Sequence, residues 1–300
     1  AAGVVPATSA AVVTPGTLEW DSLTAEQRIH HARRMEVYAG MVDAMDMHIG
    51  RLMNYLKEIG EFDNTLFVFT SDNGAEGSNL IGVNGQSMLG NWFDRVGYNS
   101  DLATLGEPGS FNAIGPNNAT IAASPLAYYK FYASEGGLRV PLVMSGPGID
   151  KRDEKSDEFV FVTDLTPTIL SIAGIERHAG DWKGKAVEEI IGKDFSDYLA
   201  SDAADIHPES EAIGYELGGN RALFKGDYKI VFNRSARADQ AWHLFNIKTD
   251  PGESSDLALE EPERFADMRA DYDAYESDNN VLPMPEGYNQ RRTVFGGVLN

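Results

Sequence analysis

Between Thr24 and Gly60 apolar residues recur at alternating steps of three and four, at Met35, Tyr38, Val42, Met45, Ile49, Leu52, Leu56 and Ile59. That period belongs to a helix with one apolar stripe, long enough to cross a whole domain. Thr24 and Gln27 have capping-box spacing at its start, and Gly60 suits the left-handed position just past its end. Such a stripe is expected to lie against a core. After the loop EFDN comes Thr65-Leu-Phe-Val-Phe-Thr70, apolar on both faces, as in a central strand of a parallel sheet covered by helices. Helix, loop and strand make half of a βαβ unit.

Downstream, Ser78 to Pro125 is rich in Gly, Asn and Ser and reads as a long irregular loop, a feature that usually serves function. Val140–Met144 and Phe159–Val162 are strand candidates, and a helix is expected from about Leu165 to Ala173. Thr163 or Asp164 would cap that helix, Pro167 falls in its first turn and Gly174 ends it. Past residue 210 the texture changes to short alternating strands, Glu211–Leu217, Arg221–Lys225, Tyr228–Phe232 and Trp242–Ile247, closed by a helix from Pro262 to about Tyr275. Two domains are therefore expected: residues 1–190 as an α/β domain and residues 191–300 as a small antiparallel sheet with a packed helix, the boundary falling between 178 and 210. Trp92, Trp182 and Trp242 read as packing residues.

A net charge of −21 repels nucleic acid and anionic membrane surfaces, so any anionic substrate has to be met by locally placed cations. With no cysteine, disulfides, thiolate metal sites and a cysteine nucleophile are excluded within these residues. No run approaches the roughly 20 apolar residues of a membrane span. The opening AAGVVPATSAAVVTPG lacks a basic stretch and a compact apolar stretch, and reads as an extended arm rather than a signal peptide.

The strand at residues 65–70 stops at Ser71-Asp72-Asn73-Gly74. In an open α/β sheet ligands collect beyond the carboxyl ends of strands. A carboxylate and an amide carbonyl side by side offer two hard oxygen ligands for Ca²⁺ or Mg²⁺, and Gly74 lets the backbone turn away. Read alone, the tetrapeptide is an ordinary Asx turn. Calcium wants about six to eight oxygens, so further ligands have to come from elsewhere. Glu76 lies beyond the turn and is set aside as a ligand. A second stretch, SPLAYYKFYASEGGLRVPLVMSGPG, sets Lys130 among aromatics ahead of a glycine pair. Its ammonium could serve an oxyanion or simply snorkel over Tyr128 and Phe131. Arg139 reads as a structural cation bridging loop carboxylates such as Glu135.

Together, NTLFVFTSDNGAEG and YKFYASEGGLRVPLVMSGPG resemble the sulfatase family of the alkaline-phosphatase-like fold, in particular its bacterial arylsulfatases. The resemblance continues through RRMEVYAGMVDAMDMHIGRLMNYLKEIGEFDNT, VTDLTPTILSIAGI, NRALFKGDYKIV and WHLFNIKTDPGESSDLA, and covers roughly residues 18 to 275. It implies an α/β fold with a mixed or parallel sheet flanked by helices, and hydrolysis of a sulfate ester on a small molecule or sulfated glycan. It further implies Asp72 and Asn73 as two ligands of a divalent cation, usually calcium, with magnesium the alternative. Lys130 would bind the substrate sulfate and steady the leaving oxygen.

The sequence departs from the family in several respects, lacking the nucleophile motif, the acidic pair on the first strand that completes the metal site, and the histidines and second lysine that precede the Asp-Asn strand. The formylglycine nucleophile of sulfatases is made within a C/S-x-P-x-R motif, and the nearest string here, Ser145-Gly-Pro147-Gly-Ile149, lacks the arginine and reads as a turn. His30, His31 and His48 fall on the long helix and match none of the family's histidine motifs. The expectation is that these residues are the C-terminal part of a sulfatase, inactive alone, whose partner is its own N-terminal segment carrying the formylglycine. A periplasmic or secreted location is favoured over a cytoplasmic one. The alternatives are a phosphomonoester or phosphonate-ester hydrolase of the same superfamily, and a non-catalytic metal-binding module that keeps the fold.

Overall fold

The computed structural model describes residues 5–6, 9, 12–78, 93, 95–151, 153–177, 180–201, 206–235, 237–285 and 287–288. Residues 79–92, Trp92 included, lie outside the described residues. The chain divides into two compact units. One takes in Arg51–Ser71 and Pro141–Glu211, the other Val5–Gly50, Asp72–Val140 and Ala212 onward.

The long helix α1 runs Ala25–Glu58. Its start is the anticipated capping box, with Thr24 N–H donating to Gln27 Oε1 at 2.9 Å and Gln27 N–H to Thr24 Oγ1 at 3.2 Å. Gly60, at φ 76°, turns the chain out of the helix while Glu61 N–H donates back to the Leu56 carbonyl at 2.9 Å. The stripe, however, is not covered as expected: Val42, Met45, Leu52 and Ile59 are exposed, and the buried side chains of α1 are His30, His31 and Arg34. Periodicity specifies that one face should be covered; it does not specify that the covering atoms belong to the same 300 residues.

In the first unit β1 (Phe67–Thr70) pairs with β2 (Leu142–Ser145) in antiparallel register, Phe67 opposite Ser145 and Thr70 opposite Leu142. This corrects the parallel reading. Apolarity on both faces reports burial and is silent on the direction of a neighbouring strand. Phe159–Val162 is not a strand either. The helix there spans Val162–Ile172, beginning three residues before the anticipated Leu165, because the Asp164 carboxylate accepts the Phe161 N–H at 2.7 Å from the first turn. Gly174 (φ 66°) follows its end. A small hairpin, β3 (Gly180–Trp182) and β4 (Lys185–Val187), and the short helix Ser196–Ala200 complete the described unit; Trp182 is exposed rather than packed.

The second unit holds the antiparallel sheet β5 (Ala212–Leu217), β6 (Asn220–Lys225), β7 (Tyr228–Phe232) and β8 (Trp242–Asn246), paired in chain order. These strands match the alternating segments of the sequence closely. Helix Pro262–Asp278 lays Met268 and Tyr272 on Leu223, Ile230 and Leu244 to form the larger core, and Trp242 packs edge-on to Tyr272 at 4.9 Å. A second core joins Ile114, Ala119, Tyr129 and Tyr132. It includes helix Gly115–Ala123, inside the segment expected to be loop. Asn117 and Asn118 are weak helix formers, so local propensity pointed to a loop. Tertiary bonds override it: Asn117 Oδ1 accepts the Leu18 N–H at 3.2 Å, and Asn118 Nδ2 donates to the His31 carbonyl at 3.1 Å.

Candidate functional site

Asp72 and Asn73 open a turn that rests on the segment following Lys130. Gly74 N–H donates to the Gly137 carbonyl at 2.9 Å. A side chain at Gly74 would overlap the Gly136 carbonyl, one at Gly136 the carbonyls of Tyr128 and Ala127, and one at Gly137 the Tyr132 carbonyl. Glycine is required at all three positions because two backbones run in contact there. One residue along, Lys130 N–H donates to the Ala75 carbonyl at 3.0 Å. The acid–amide turn and the lysine turn are thus stitched backbone to backbone at two points.

The lysine turn is itself strained. Tyr128 and Phe131, on either side of Tyr129 and Lys130, sit in the left-handed region at φ 62° and 78°. Each such placement costs about 1–3 kcal/mol in a non-glycine residue and persists where surrounding bonds enforce it. Here Gly136 N–H donates to the Ala127 carbonyl at 2.8 Å, and the Tyr129 and Tyr132 rings meet edge to face at 5.2 Å.

The Lys130 ammonium lies 3.0 Å from Glu76 Oε2 and 5.2 Å from the centre of the Phe131 ring. Glu76 Oε1 accepts the Ser78 N–H at 2.6 Å. Partial burial works against the charge on Glu76, but the hydrogen bonds from Ser78 and Lys130 prevail and hold its carboxyl below the usual carboxylate range. Glu76, set aside as a metal ligand in the sequence, is instead the partner of Lys130. Arg139 bridges to Glu135 as anticipated, Nη1 to Oε2 at 3.5 Å. His48 is exposed on α1.

Among the described residues no group of three or more His, Asp or Glu side chains is arranged to hold a metal ion. Asp72 and Asn73 suit a hard cation in kind, one carboxylate and one amide oxygen on a turn held rigid by glycine packing, and could supply two of the roughly six to eight donors that calcium wants. The fit is therefore chemical and partial.

The sulfatase family model matches residues 6–175, more than half of the chain. The chain belongs to the sulfatase family. A second model, that of the N-sulphoglucosamine sulphohydrolase C-terminal region, matches residues 127–271 of this sulfatase. An uncharacterized sulfatase of Schizosaccharomyces pombe is 37% identical over 275 residues, covering 91% of this chain and 49% of its own length. An arylsulfatase of Klebsiella aerogenes is 36% identical over 179 residues, covering 59% of this chain and 37% of the relative. The sulfatase chain thus spans about half the length, or less, of these relatives. A solved structure described as a complex with its substrate D-glucosamine-2-N,6-O-disulfate superimposes with a TM-score of 0.50 at 20% identity, over 82% of this chain and 41% of that one. That likeness supports the fold.

Proposed function

We propose that this sulfatase chain supplies one side of a sulfate-ester hydrolase site, with Asp72, Asn73 and Lys130 as its working groups. The observation that carries the reading is the double backbone bond between the two turns, Gly74 to Gly137 and Lys130 to Ala75, which keeps a pair of hard oxygen donors and a lysine in one corner of the second unit. In a chain of net charge −21, the Lys130 ammonium together with a divalent cation held at Asp72 and Asn73 would supply the positive charge an anionic ester needs.

In this reading the Lys130 ammonium donates to a sulfate oxygen on binding and to the bridging oxygen as the bond to sulfur breaks, where negative charge develops. Glu76 gives up or shares that ammonium when the ester arrives; a lysine carries three donors, so sharing is chemically sufficient. The Asp72 carboxylate and the Asn73 amide oxygen would hold a divalent cation, calcium or magnesium, which when bound would draw charge from the sulfate oxygens. The packed glycines exclude side chains, and with them rotamer freedom, from the floor of the site.

The nucleophile, a formylglycine, is assigned to polypeptide outside these 300 residues, and the exposed stripe of α1 is assigned to contact with that polypeptide. The substrate is a small sulfate ester or sulfated glycan. The test is turnover of p-nitrophenyl sulfate and p-nitrophenyl phosphate by the longer protein that contains this chain. Hydrolysis of the sulfate at least tenfold faster in kcat/KM is expected. Faster phosphate hydrolysis would favour a phosphoester hydrolase, and turnover of neither would favour a binding module.

A further inference from the structure

Behind the two turns lies a buried charge cluster that the chemistry above does not use. Lys229, on β7, is 0% exposed, and its ammonium donates to Glu135 Oε1 at 2.9 Å and to Glu253 Oε1 at 2.8 Å. The Glu135 N–H also donates to Glu253 Oε1, at 3.2 Å. Beside it, Asn233 Oδ1 accepts the Ala133 N–H and Asn233 Nδ2 donates to Ser134 Oγ, both at 2.8 Å. Three successive residues, 133 to 135, are therefore bonded to groups carried by the C-terminal antiparallel sheet and its loops. Burial pushes the Glu253 carboxyl up, Lys229 pulls against that shift, and Glu135 adds to it.

Such a cluster is a poor means of adding stability, since well-packed apolar residues of the same volume often do as well or better. The bonds that the cluster does make, two from the Lys229 ammonium and one from the Glu135 N–H, still hold Glu135 in one geometry, although Glu253 Oε2 is buried without a hydrogen-bond partner among the described residues. The residue it grips occupies a particular place: Glu135 lies five positions after Lys130, and the two glycines that receive the Asp72 turn follow it directly. Fixing Glu135 fixes the segment between the cation and the acid–amide pair.

We propose that Glu135, clamped by Lys229, is a positioning residue for Lys130, setting where the ammonium stands relative to the Asp72–Asn73 turn. The proposal rests on the sulfate-ester reading. A misplacement of about 1 Å can cost roughly 100-fold in rate, so a tether of this kind has leverage on catalysis out of proportion to its part in folding.

The test is a double-mutant cycle of Glu135→Ala and Lys130→Ala in the longer protein, read both in kcat/KM for p-nitrophenyl sulfate and in the inhibition constant of inorganic sulfate. Lys130→Ala is expected to lose about 100- to 1000-fold in kcat/KM, and Glu135→Ala about 10- to 100-fold. If Glu135 acts through Lys130, the double variant falls within about threefold of Lys130→Ala alone, and sulfate inhibition shows the same non-additivity. Multiplicative losses, or a Glu135→Ala variant within twofold of the parent, overturn the positioning role while leaving the sulfate-ester reading intact. A Lys130→Ala variant within twofold of the parent overturns both. Should Glu135→Ala not be recovered folded, Glu135→Gln, which keeps an oxygen facing Lys229, enters the same cycle with the same criterion.

Discussion

The ammonium of Lys130 stands 3.0 Å from the carboxylate of Glu76, so the cation assigned to the substrate sulfate already has an internal anion at rest. Both side chains are partly exposed, and such pairs are worth about 0.2–1 kcal/mol. Glu76→Gln is therefore expected to lower KM for p-nitrophenyl sulfate by up to about fivefold. The sign with pH follows from the lowered carboxyl of Glu76. The pairing is present above the ordinary carboxylate range and is lost as pH falls through the depressed value. In the parent, KM should improve on acidification through that window, and in Glu76→Gln that component should vanish. An unchanged KM at every pH would remove Glu76 from the site.

The contact of Gly74 with the Gly136 carbonyl leaves no room for a methyl group. Gly74→Ala is expected to force the two turns apart at a cost of about 1–3 kcal/mol, measurable as a lower urea midpoint. Its loss of kcat/KM should exceed that of a surface substitution such as Lys57→Ala, measured in parallel.

In the other unit His207 bridges Asp164 (Nε2 to Oδ2, 2.8 Å) and Glu211 (Nδ1 to Oε2, 3.1 Å), with Lys193 on the far side of Glu211 at 3.0 Å. Burial lowers the imidazole's affinity for a proton, but the bonds to Asp164 and Glu211 outweigh it and raise the pKa. Asp164 is held low: burial opposes its charge, and His207 with the Lys193 and Phe161 amides overcomes that. The His207 contribution is then complete below about pH 6.5 and fades as pH rises through the raised value. The Asp164 contribution is complete above about pH 4 and fades on acidification. Thermal melts should show greatest stability between those limits. His207→Leu should lose about 1–3 kcal/mol at pH 6 and show no decline on the alkaline side of the window.

The stripe residues Val42, Met45 and Leu52 of α1 are exposed, as are Met41, Met47 and Tyr55 around the helix, and they are expected to make the 300-residue chain associate when it is prepared alone. Sedimentation should give a mass above the monomer for the chain and a defined species for the longer protein. Val42→Lys with Met45→Glu should shift the isolated chain toward monomer. A monodisperse, active chain by itself would contradict the assignment of this stripe to missing polypeptide.

The residues show why some of this was legible in the sequence and some was not. The four C-terminal strands and their helix follow from period-two alternation and turn chemistry, both local. The α1 cap was readable for the same reason, because Thr24 and Gln27 bond each other. The direction of β2 against β1 was not, since Phe67–Thr70 has the same composition for either partner orientation. Helix Gly115–Ala123 was hidden by asparagines whose amides are engaged by Leu18 and His31, far away in sequence. At the proposed site, Asp72, Asn73 and Lys130 were picked out by the family resemblance of the segments that carry them; as residue types alone they read as an Asx turn and a snorkelling lysine. Lys229 and Glu253 gave no signal: a lysine in an alternating strand and an acid in a TDPGE turn are solvent-facing by default, and only the fold reveals that they meet Glu135 out of water.

The most direct measurement is the turnover of p-nitrophenyl sulfate by the longer protein carrying Lys130→Ala or Asp72→Ala, with circular dichroism to verify that each remains folded. A loss of about 100-fold or more in kcat/KM for each is expected, with added calcium restoring part of the Asp72→Ala loss and none of the Lys130→Ala loss. Two folded variants that both retain parental turnover would contradict the assignment of these residues to a sulfate-ester site.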